Sequence, residues 1–400
     1  MDVVAVALDD SAILVRWLHV VAAIVWVGSA FALLKLDLAM KPRAANATPQ
    51  TLFLNAGAGF RLLRAADADG AERALNFKAE AYATWASGFA LLCLVFCAAP
   101  QLYLIDPQVW NAAPWLAIVA ALVPLALSWL AYDALCKWSG LSGDALLWAV
   151  FVFAAVLALA LTHVFAGRAA YVLIGAHFGT LMVANIAHAI APAQKRRLAS
   201  LRAGLPADET DARTAGVRAL HNQYLALPTV FFMLSGHAPL LFAGPDNGLA
   251  AIAFIAGFFL IRRIWLQVSR GLGLNRRLAV AASACLLLGL ALSAPRHPKA
   301  ESEARNASEA IALAVQPGAG DAQKIVDGHC VVCHAPNPRV TGLAGAAGGL
   351  DFTTRESVSK HRDAILRAAV YSHAMPPPGA APALDADEKT MLIRWAASGD

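Results

Sequence analysis

The chain has 400 residues, of which 59% are hydrophobic and 15% are charged, and its formal net charge is +5. Soluble domains are about 45–50% apolar and about 25% charged. This composition therefore excludes an ordinary soluble enzyme, a disordered chain and a small disulfide-rich secreted domain. It is typical of a helical membrane protein, in which the placement of charges is more informative than their sum.

Eight apolar stretches are long enough to cross a membrane, which takes about 20 residues for a hydrocarbon layer about 30 Å thick. They lie near 12–34, 82–100, 114–134, 145–165, 169–191, 220–243, 248–268 and 277–294. The residues before the first stretch, MDVVAVALDD, are acidic and contain no Lys or Arg, unlike the basic start of a signal peptide. We therefore expect the first stretch to be retained as a membrane span.

Lys and Arg are concentrated in alternate loops between these spans. The loops after the first, third, fifth and seventh spans carry nineteen of them, counting Arg218 and Arg262, whereas the other loops carry only Arg168. Positively charged loops face the cytoplasm. The pattern therefore predicts that both termini lie on the outer side of the membrane.

The composition changes after residue 294. Residues 295–313 are polar and predict a linker, and residues 314–400 predict a small soluble domain with little apolar bulk for its size. We therefore divide the chain into a membrane domain at 1–294, a linker at 295–313 and a C-terminal domain at 314–400. We expect something besides a hydrophobic core to help hold the C-terminal domain together.

The C-terminal domain contains Cys330-Val331-Val332-Cys333-His334, the C-x-x-C-H pattern of covalent haem c attachment. In this pattern the two thiols bond the haem vinyl groups and the adjacent histidine ligates the iron. A redox dithiol and half of a zinc site are the alternatives. A dithiol does not require His334, and a zinc site needs a second ligand pair, for which His361 and His373 are the later candidates at an unconvincing spacing.

Met375 is the candidate for the second axial ligand of that iron. A thioether ligand raises the reduction potential, and the prolines that follow in HAMPP (373–377) stiffen the loop. The alternative is that Met375 fills the core. The other methionine of the domain, Met391, falls in a predicted helix whose Leu392 and Trp395 are spaced to face a core.

Haem attachment also tests the topology. Haem c is attached on the outer side of the bacterial membrane. Eight spans that start from an outer amino terminus place Cys330 on that side, whereas seven or nine would not.

The first span carries ionisable residues that count as functional candidates because such groups are rare inside a membrane. Arg16, His19 and Trp26 share one helix face by spacing. The alternative is that Arg16 reaches the outer interface and His19 bonds a neighbouring carbonyl. His19 and His177 enter their spans to a similar depth, roughly 13 Å at 1.5 Å per residue. This depth match allows a b-type haem or another metal between helices, with a hydrogen-bonded bundle histidine as the alternative.

A second polar group is predicted near the inner face. His221 and Asn222 open the sixth span, and Asn185 and His188 close the fifth. We expect these side chains to line a polar pocket that opens to the cytoplasm. Asp133, Trp85 and other polar residues near span ends are interpreted individually as boundary residues.

Seven segments together resemble one known family. They are RWLHVVAAIVWVGSAF (16–31), EAYATWASGFALL (80–92), LYLIDP (102–107), GTLMVAN (179–185), LHNQYLALPTVFFMLSGH (220–237), CVVCH (330–334) and HAMPP (373–377). In this order they resemble the bacterial membrane-bound urate hydroxylases, which are integral-membrane urate oxidases with a C-terminal cytochrome c domain. The pattern of the first span alone is also similar to other membrane proteins, including a haem-binding protoporphyrinogen oxidase.

The resemblance implies an all-α fold, with a polytopic bundle of eight transmembrane helices and a C-terminal class I cytochrome c domain. It implies a cytochrome c-linked urate oxidase or dehydrogenase that converts urate to 5-hydroxyisourate and passes electrons to its own haem c without making peroxide. The implied location is the bacterial inner membrane, with the cytochrome domain in the periplasm. The implied partners are urate or a similar purine, the lipid bilayer, and a respiratory electron acceptor such as a soluble cytochrome c or a terminal oxidase. Nucleic acid is not among them.

Roles for the polar residues follow from the needs of this chemistry. His221 is the predicted general base, since imidazole titrates near the working pH. Asn222, Asn185 and Arg16 are candidates to bind the carbonyls or the anion, and Trp85 or Tyr224 could stack on the purine. The predicted catalytic set is His221, Asn222, Arg16 and His19; the substrate-binding set is Asn185, Trp85 and Tyr224; the haem c set is Cys330, Cys333, His334 and Met375.

Two other functions remain open at this point. The chain could be a membrane electron-transfer subunit in which quinol or a b-type haem feeds the cytochrome tail. It could also be a metal or solute transporter with a redox sensor.

Overall fold

The computed structural model describes residues 3–39, 51–55, 60–64, 78–203, 205, 208–294, 318–340, 343, 345–371, 375–377 and 380–398. The predicted linker at 295–313 and His373 lie outside these residues. The described chain is mostly helical, and its strands form an antiparallel hairpin that pairs Thr51–Asn55 with Phe60–Arg64. This agrees with the predicted all-α class.

Besides a four-residue helix at Pro100–Tyr103, the first 294 residues contain nine described helices, most of which follow the predicted apolar stretches. They are α1 Val3–Ala39, α2 Lys78–Leu91, α3 Pro114–Trp138, α4 Gly143–Thr162, α5 Gly167–Asn185, α6 Ala191–Arg202, α7 Glu209–Leu234, α8 Asn247–Ser269 and α9 Arg276–Ser293. A π-helical turn at Leu92–Cys97 continues α2, and another at Ile186–Ile190 joins α5 to α6.

Seven of the described helical segments are long and apolar enough to cross a membrane, and they lie in α1, α2, α3, α4, α5 with its extension to Arg197, α8 and α9. The predicted span at 220–243 begins in α7, which ends at Leu234, and its last residues form short 3₁₀ turns at Ser235–His237 and Pro239–Leu241. The helix α7 is not among the seven because its first half is polar. This helix nevertheless packs along α5 and α8. Met233 contacts Gly175 at one end of the α5–α7 pair, and Arg218 contacts Asn185 at the other. The two helices are therefore antiparallel over most of their length.

The structure corrects two of the charge assignments. Arg218 and Arg262 were counted as loop residues, but Arg218 lies inside α7 with 4% of its surface exposed, and Arg262 lies inside α8 with none exposed. Arg218 precedes the apolar stretch at 220–243 but falls in α7, which begins at Glu209, whereas Arg262 lies within the apolar stretch at 248–268 and was grouped with the loop charges because of its basic side chain. The charge asymmetry survives their removal, but these two residues belong to the interior of the bundle.

Glycines set the close approach of α8 and α9. A Cβ at Gly257 would lie 2.7 Å from a methyl carbon of Leu286, and one at Gly289 would lie 2.7 Å from the ring of Phe254. Small residues at such contacts let two backbones approach, which is how helices in membranes gain packing energy. At the start of α9, the Asn275 side chain accepts hydrogen bonds from the backbone N–H groups of Arg277 and Leu278, which caps the helix.

The C-terminal residues form a separate cluster of buried side chains. Its helices are α10 Ala319–His329, α11 Arg355–Lys360, α12 Arg362–Ile365 with a π-helical continuation at Leu366–Tyr371, and α13 Ala386–Ser398. Trp395 and Leu392 of α13 are buried at 0% and 1% exposure, as their spacing predicts, whereas Met391 is 37% exposed. Asp385 and Glu388 each accept a hydrogen bond from the other's backbone N–H, forming a capping box that starts α13.

The C-terminal unit contacts one end of the helix bundle. The Ser293 hydroxyl, at the end of α9, donates a hydrogen bond to the carbonyl of Leu241. The turn Pro239–Leu241 lies in turn against Leu366–Tyr371 of the C-terminal unit. The C-terminal unit therefore lies at the end of the bundle where α7 finishes, away from the end where α7 begins.

Candidate functional site: a polar cluster inside the helix bundle

A hydrogen-bonded cluster of polar side chains joins α3, α5 and α7. The hydroxyl of Tyr132 lies 2.8 Å from Nδ1 of His221 and accepts a hydrogen bond of 3.0 Å from Nδ2 of Asn185. Nδ2 of Asn185 also lies 2.9 Å from Oδ1 of Asn222. Tyr132 and Asn185 are fully buried, and His221 is 2% exposed. Three of the residues predicted from the sequence therefore meet in one network.

A buried ion pair borders this network on the side nearer the start of α7. Nη2 of Arg218 lies 2.5 Å from Oδ1 of Asp133, and Nη1 donates a 3.3 Å hydrogen bond to Oδ1 of Asn185. The guanidinium carbon is 5.0 Å from the centre of the Tyr132 ring. Lys137 contacts the other oxygen of Asp133 at 2.7 Å and is 60% exposed. Asp133 thus links a buried cation to one at the surface.

Helical spacing explains why these side chains converge. Arg218, His221 and Asn222 are separated by three and four residues, which places them on one face of α7. Tyr132 and Asp133 lie on α3 opposite this face, and Asn185 is the last residue of α5. Asn222 also donates a 3.0 Å hydrogen bond to the carbonyl of Met182, which ties α7 to α5 and holds the amide in place.

The imidazole of His221 has two possible proton arrangements. If Nδ1 carries the proton, it donates to the Tyr132 oxygen and leaves a lone pair on Nε2. If Tyr132 donates instead, Nε2 carries the proton and cannot act as a base. The Tyr132 oxygen accepts a hydrogen bond from Asn185 through one lone pair, and its other lone pair can accept a second hydrogen bond from Nδ1 of His221. Base chemistry at His221 requires the first arrangement.

The C-terminal unit contains a second group of predicted site residues. Cys330 and Cys333 are free thiols, partly and fully buried, at the end of α10. Burial, with a smaller contribution from neighbouring Cys333, raises the pKa of the Cys330 thiol to about 12. His334 donates from Nδ1 to the carbonyl of Leu350 at 3.1 Å, and its ring stacks on Phe352 at 4.7 Å. Burial lowers the pKa of His334 below its usual value.

These residues fit covalent haem attachment. A histidine that ligates a metal through one ring nitrogen usually donates its other N–H to a backbone carbonyl, as Nδ1 of His334 does. Met375 packs at the edge of the buried cluster, and its backbone N–H donates to the carbonyl of Ala368 at 2.9 Å. Among the described residues, no group of three or more His, Cys, Asp and Glu is placed to hold a metal ion by itself.

The helix bundle matches the model of a known protein family. The model of the urate oxidase N-terminal family matches residues 5–294. The chain belongs to the urate oxidase N-terminal family. No curated protein and no solved structure matches the chain.

Membership of the urate oxidase N-terminal family assigns the chain to oxidoreductases that act on urate. The matched residues end where α9 ends, so they contain the whole polar cluster and exclude the C-terminal unit. In the part of the chain that the structure describes, the seven helical segments long and apolar enough to span a membrane lie within the matched region. The family match therefore covers the helix bundle and does not extend to the C-terminal unit.

Among the described residues, three other predicted site residues take no part in the hydrogen bonds of the cluster in this urate oxidase-family bundle. The Trp85 indole donates to the hydroxyl of Thr180 at 3.1 Å and stacks on Phe89 at 5.4 Å. Tyr224 is buried against Phe259 at 5.3 Å. Arg16 is exposed on α1. None of these three side chains is hydrogen-bonded to His221 in the described structure.

His19 and His177 do not form the pair that their depth suggested. His19 lies between α1 and α2, where Nδ1 donates to the carbonyl of Thr84 at 2.8 Å and approaches Ser87 at 3.2 Å. His177 lies between α5 and α3, with Nδ1 2.9 Å from the hydroxyl of Ser128. Depth along the membrane gives no information on which way a side chain points around its helix, so the prediction combined residues from different interfaces.

Three members of the site were not predicted from the sequence. Tyr132 was not singled out, Asp133 was interpreted as a boundary residue, and Arg218 was assigned to a loop. A usable signal was present, because Arg218 precedes His221 by three residues and therefore shares its helix face. Tyr132 carried no such signal, because its role depends on how α3 packs against α7.

Proposed function

We propose that the protein is a membrane-bound urate hydroxylase that oxidises urate to 5-hydroxyisourate and passes the electrons to a haem c on its own C-terminal unit. The observation that carries the proposal is the presence, in one chain, of a urate oxidase-family bundle and a C-x-x-C-H site whose histidine donates from Nδ1 to a backbone carbonyl, which leaves Nε2 for an iron ligand bond. Such a chain has a one-electron acceptor of its own and does not need oxygen as the oxidant.

The proposed topology has eight crossings, with the C-terminal unit on the outer, periplasmic side of the bacterial inner membrane. The packing of α7 along α5 and α8 supports counting α7 as a crossing despite its polar first half. The contact of Pro239–Leu241 with Leu366–Tyr371 supports placing the haem unit at the end opposite the basic loops.

The proposed reaction converts urate and water into 5-hydroxyisourate, two electrons and two protons. His221 accepts a proton from urate, or from the attacking water, at Nε2, while Nδ1 donates to Tyr132. Arg218 and Asn185 hold the Tyr132 hydroxyl and ring in place. Asn222 offers its amide to the purine carbonyls at the edge of the cluster, because Asn222 is the member that is not fully buried.

The C-terminal residues hold the electron acceptor. Cys330 and Cys333 would bond the porphyrin, and His334 and Met375 would ligate the iron. Haem c, when bound, accepts one electron at a time, so that each urate reduces two haem equivalents. A soluble cytochrome c or a terminal oxidase is the proposed external acceptor.

The second candidate function is a membrane electron-transfer subunit with a b-type haem or metal in the bundle. The geometry of His19 favours it, because donation from Nδ1 to the Thr84 carbonyl leaves Nε2 available as a ligand. A group at His19 would also help to span the distance from His221 to the outer end of α7, roughly 20 Å for thirteen residues at 1.5 Å each. This candidate differs from the first in its electron donor, which would be quinol.

An anaerobic reduction experiment tests the proposed function. Urate is added to the purified, oxidised holoprotein without oxygen, and the α-band of haem c is followed. We expect reduction with two haem equivalents per urate, 5-hydroxyisourate as the first product, and no peroxide when air is admitted. Reduction by a quinol and not by urate would establish the electron-transfer subunit instead. A pyridine haemochrome spectrum counts c-type and b-type haem in the same sample.

A further inference from the structure

Arg262 is a buried cation that has no anionic partner among the described residues. It lies in the interior-facing surface of α8 with none of its surface exposed. Its Nη2 donates a 2.8 Å hydrogen bond to Oε1 of Gln223, but Nε and Nη1 have no hydrogen-bond partner among the described residues. The neighbouring Arg263, in contrast, is paired with Asp144 at 2.9 Å near the surface.

An unpaired guanidinium in this position is costly. Burying an isolated charge in an apolar interior costs many kcal/mol unless a counter-charge and hydrogen bonds compensate for it. Gln223 is neutral and accepts only one of the five N–H groups. Ionisable residues inside a membrane bundle usually mark a binding site or pathway for a charged ligand.

Two aromatic rings lie beside the guanidinium. Its central carbon lies 5.3 Å from the centre of the Phe31 ring and 5.1 Å from that of Trp265. The two rings are stacked on each other at 5.1 Å with an interplanar angle of 24°. Cation–π contacts of this kind hold the guanidinium in place but do not satisfy its N–H groups. They also supply flat apolar surface beside it, of the kind on which a planar ring stacks.

We propose that Arg262 binds the anionic form of the purine substrate, with its unpartnered Nε–H and Nη1–H groups directed to the urate anion and Trp265 and Phe31 beside the ring. This inference rests on the proposed function and names a residue for it. A guanidinium suits a planar, delocalised anion because it donates two hydrogen bonds in one plane. The anion would in turn provide the counter-charge that Arg262 lacks.

The position of Gln223 shows where this site lies relative to the polar cluster. Gln223 holds Arg262, and the preceding residue, Asn222, is bonded to Asn185 and Met182. Successive residues of a helix point about 100° apart, so Gln223 points about 100° around α7 from Asn222 and about 200° from His221. An anion held by Arg262 would therefore lie on the face of α7 next to Asn222 and would be bound apart from the proposed base. Arg16, for which binding of the substrate anion was predicted, is exposed on α1, and we assign that role to Arg262 instead.

Equilibrium binding of labelled urate tests this assignment. The full-length holoprotein is kept fully reduced, so that bound urate is not turned over. Arg262→Gln removes the charge, and Arg262→Lys keeps the charge but removes the planar fork. Arg263→Gln, the neighbour on the same helix, is the matched control. We expect the dissociation constant for urate to rise about 100-fold in Arg262→Gln and about 10-fold in Arg262→Lys, which correspond to about 2.7 kcal/mol and about 1.4 kcal/mol of binding free energy. We expect less than a twofold change in Arg263→Gln.

Competition experiments define the ligand class. Hypoxanthine, an uncharged purine, should compete weakly with urate in the wild type, and Arg262→Gln should reduce the preference for urate over hypoxanthine. Inorganic phosphate should not compete; equal competition by phosphate would overturn the assignment to a planar organic anion.

Each result is decisive for one of the two proposals. Unchanged urate affinity in folded Arg262→Gln and Arg262→Lys would overturn the role of Arg262 while leaving the proposed function intact. If Arg262→Gln does not fold, Arg262→Lys decides, because it keeps the buried charge. If the wild type binds no urate and urate does not reduce its haem, the proposed function falls, and the role of Arg262 falls with it.

Discussion

Tyr132 connects Asn185 to His221: its hydroxyl oxygen lies 3.0 Å from the Asn185 amide and 2.8 Å from Nδ1 of the imidazole. The three residues come from three different helices. Because Tyr132 is fully buried, the position of its hydroxyl is set by packing and not by solvent. The orientation of the proposed base therefore depends on the association of α3, α5 and α7.

Replacing His221 should remove urate oxidation while the haem stays attached. We expect His221→Gln to lower the rate of urate-dependent haem reduction by about 10²–10⁴-fold, the usual contribution of a general base. Tyr132→Phe should lower the rate less, because the base remains but loses the partner that fixes its proton on Nδ1. Stopped-flow reduction of the haem measures both variants. Retained turnover in His221→Gln would remove His221 from the catalytic role.

Replacing either member of the Arg218–Asp133 pair should destabilise the bundle. Asp133→Asn leaves a buried guanidinium without its counter-charge, for which we expect a loss of about 3–5 kcal/mol. Arg218→Met should cost less, because Lys137 still contacts Asp133 at 2.7 Å. Lys137→Met, which removes an exposed partner of the same carboxylate, should cost less than about 1 kcal/mol. Unfolding of each variant in mixed micelles with increasing SDS provides the comparison.

The double variant Asp133→Asn/Arg218→Met separates the pair from its parts. If the two residues act as a pair, the double variant should be less destabilised than the sum of the single variants. Additive losses would mean that the two side chains stabilise the bundle independently.

The sequence contained enough information to place the helices and to bring His221, Asn222 and Asn185 together. Hydropathy gave the spans, and alternating topology placed the end of the fifth span beside the start of the sixth. These residues converge because consecutive antiparallel helices are neighbours. That part of the site can therefore be predicted from the order of the helices along the chain.

The rest of the site depends on contacts between helices that are distant in the sequence. Tyr132 meets His221 across 89 residues, and Gln223 meets Arg262 across 39. Hydropathy gives the depth of a residue but not its direction around the helix axis. For the same reason, Arg262 was interpreted as a loop charge, although the structure places it in the interior.

A methyl group at Gly88 should disturb His19. A Cβ at Gly88 would lie 2.7 Å from Cε1 of His19, closer than van der Waals contact allows. We expect Gly88→Ala to displace the imidazole from the Thr84 carbonyl and to cost about 1–3 kcal/mol of stability, as overpacking does. Gly28→Ala on the same helix as His19 is the control, because a Cβ there meets nothing within 4 Å. Equal free energies of unfolding for Gly88→Ala and Gly28→Ala would contradict the close contact between Gly88 and His19.

Removal of the Met375 thioether should change the iron site without detaching the haem. We expect Met375→Ala to lose the low-spin six-coordinate spectrum and to lower the reduction potential. Met391→Ala, at an exposed position of α13, should leave both unchanged. Visible spectra and potentiometric titration of the purified variants measure the difference. An unchanged low-spin spectrum in Met375→Ala would show that another residue is the ligand.

His329 should make the stability of the C-terminal unit depend on pH. Burial lowers its pKa, but hydrogen bonds to the Pro382 carbonyl at 2.8 Å and to the Glu388 carboxylate at 2.9 Å, with the charge of Asp385, raise it above the usual value overall. Both ring nitrogens then donate, which is the protonated form.

A raised folded-state pKa fixes the sign of this effect. The contact stabilises the fold fully below the unfolded-state pKa of about 6.5 and loses its contribution as the pH rises through the raised folded-state value. We expect His329→Gln to be less stable than the wild type by up to about 1 kcal/mol at pH 5.5, and by much less at pH 8.5. Thermal unfolding of the full-length holoprotein, followed by the haem spectrum, measures this at both values. In a Glu388→Gln background, where the side chain can still cap α13, His329→Gln should produce a smaller pH-dependent difference; an undiminished one would assign the effect to another group.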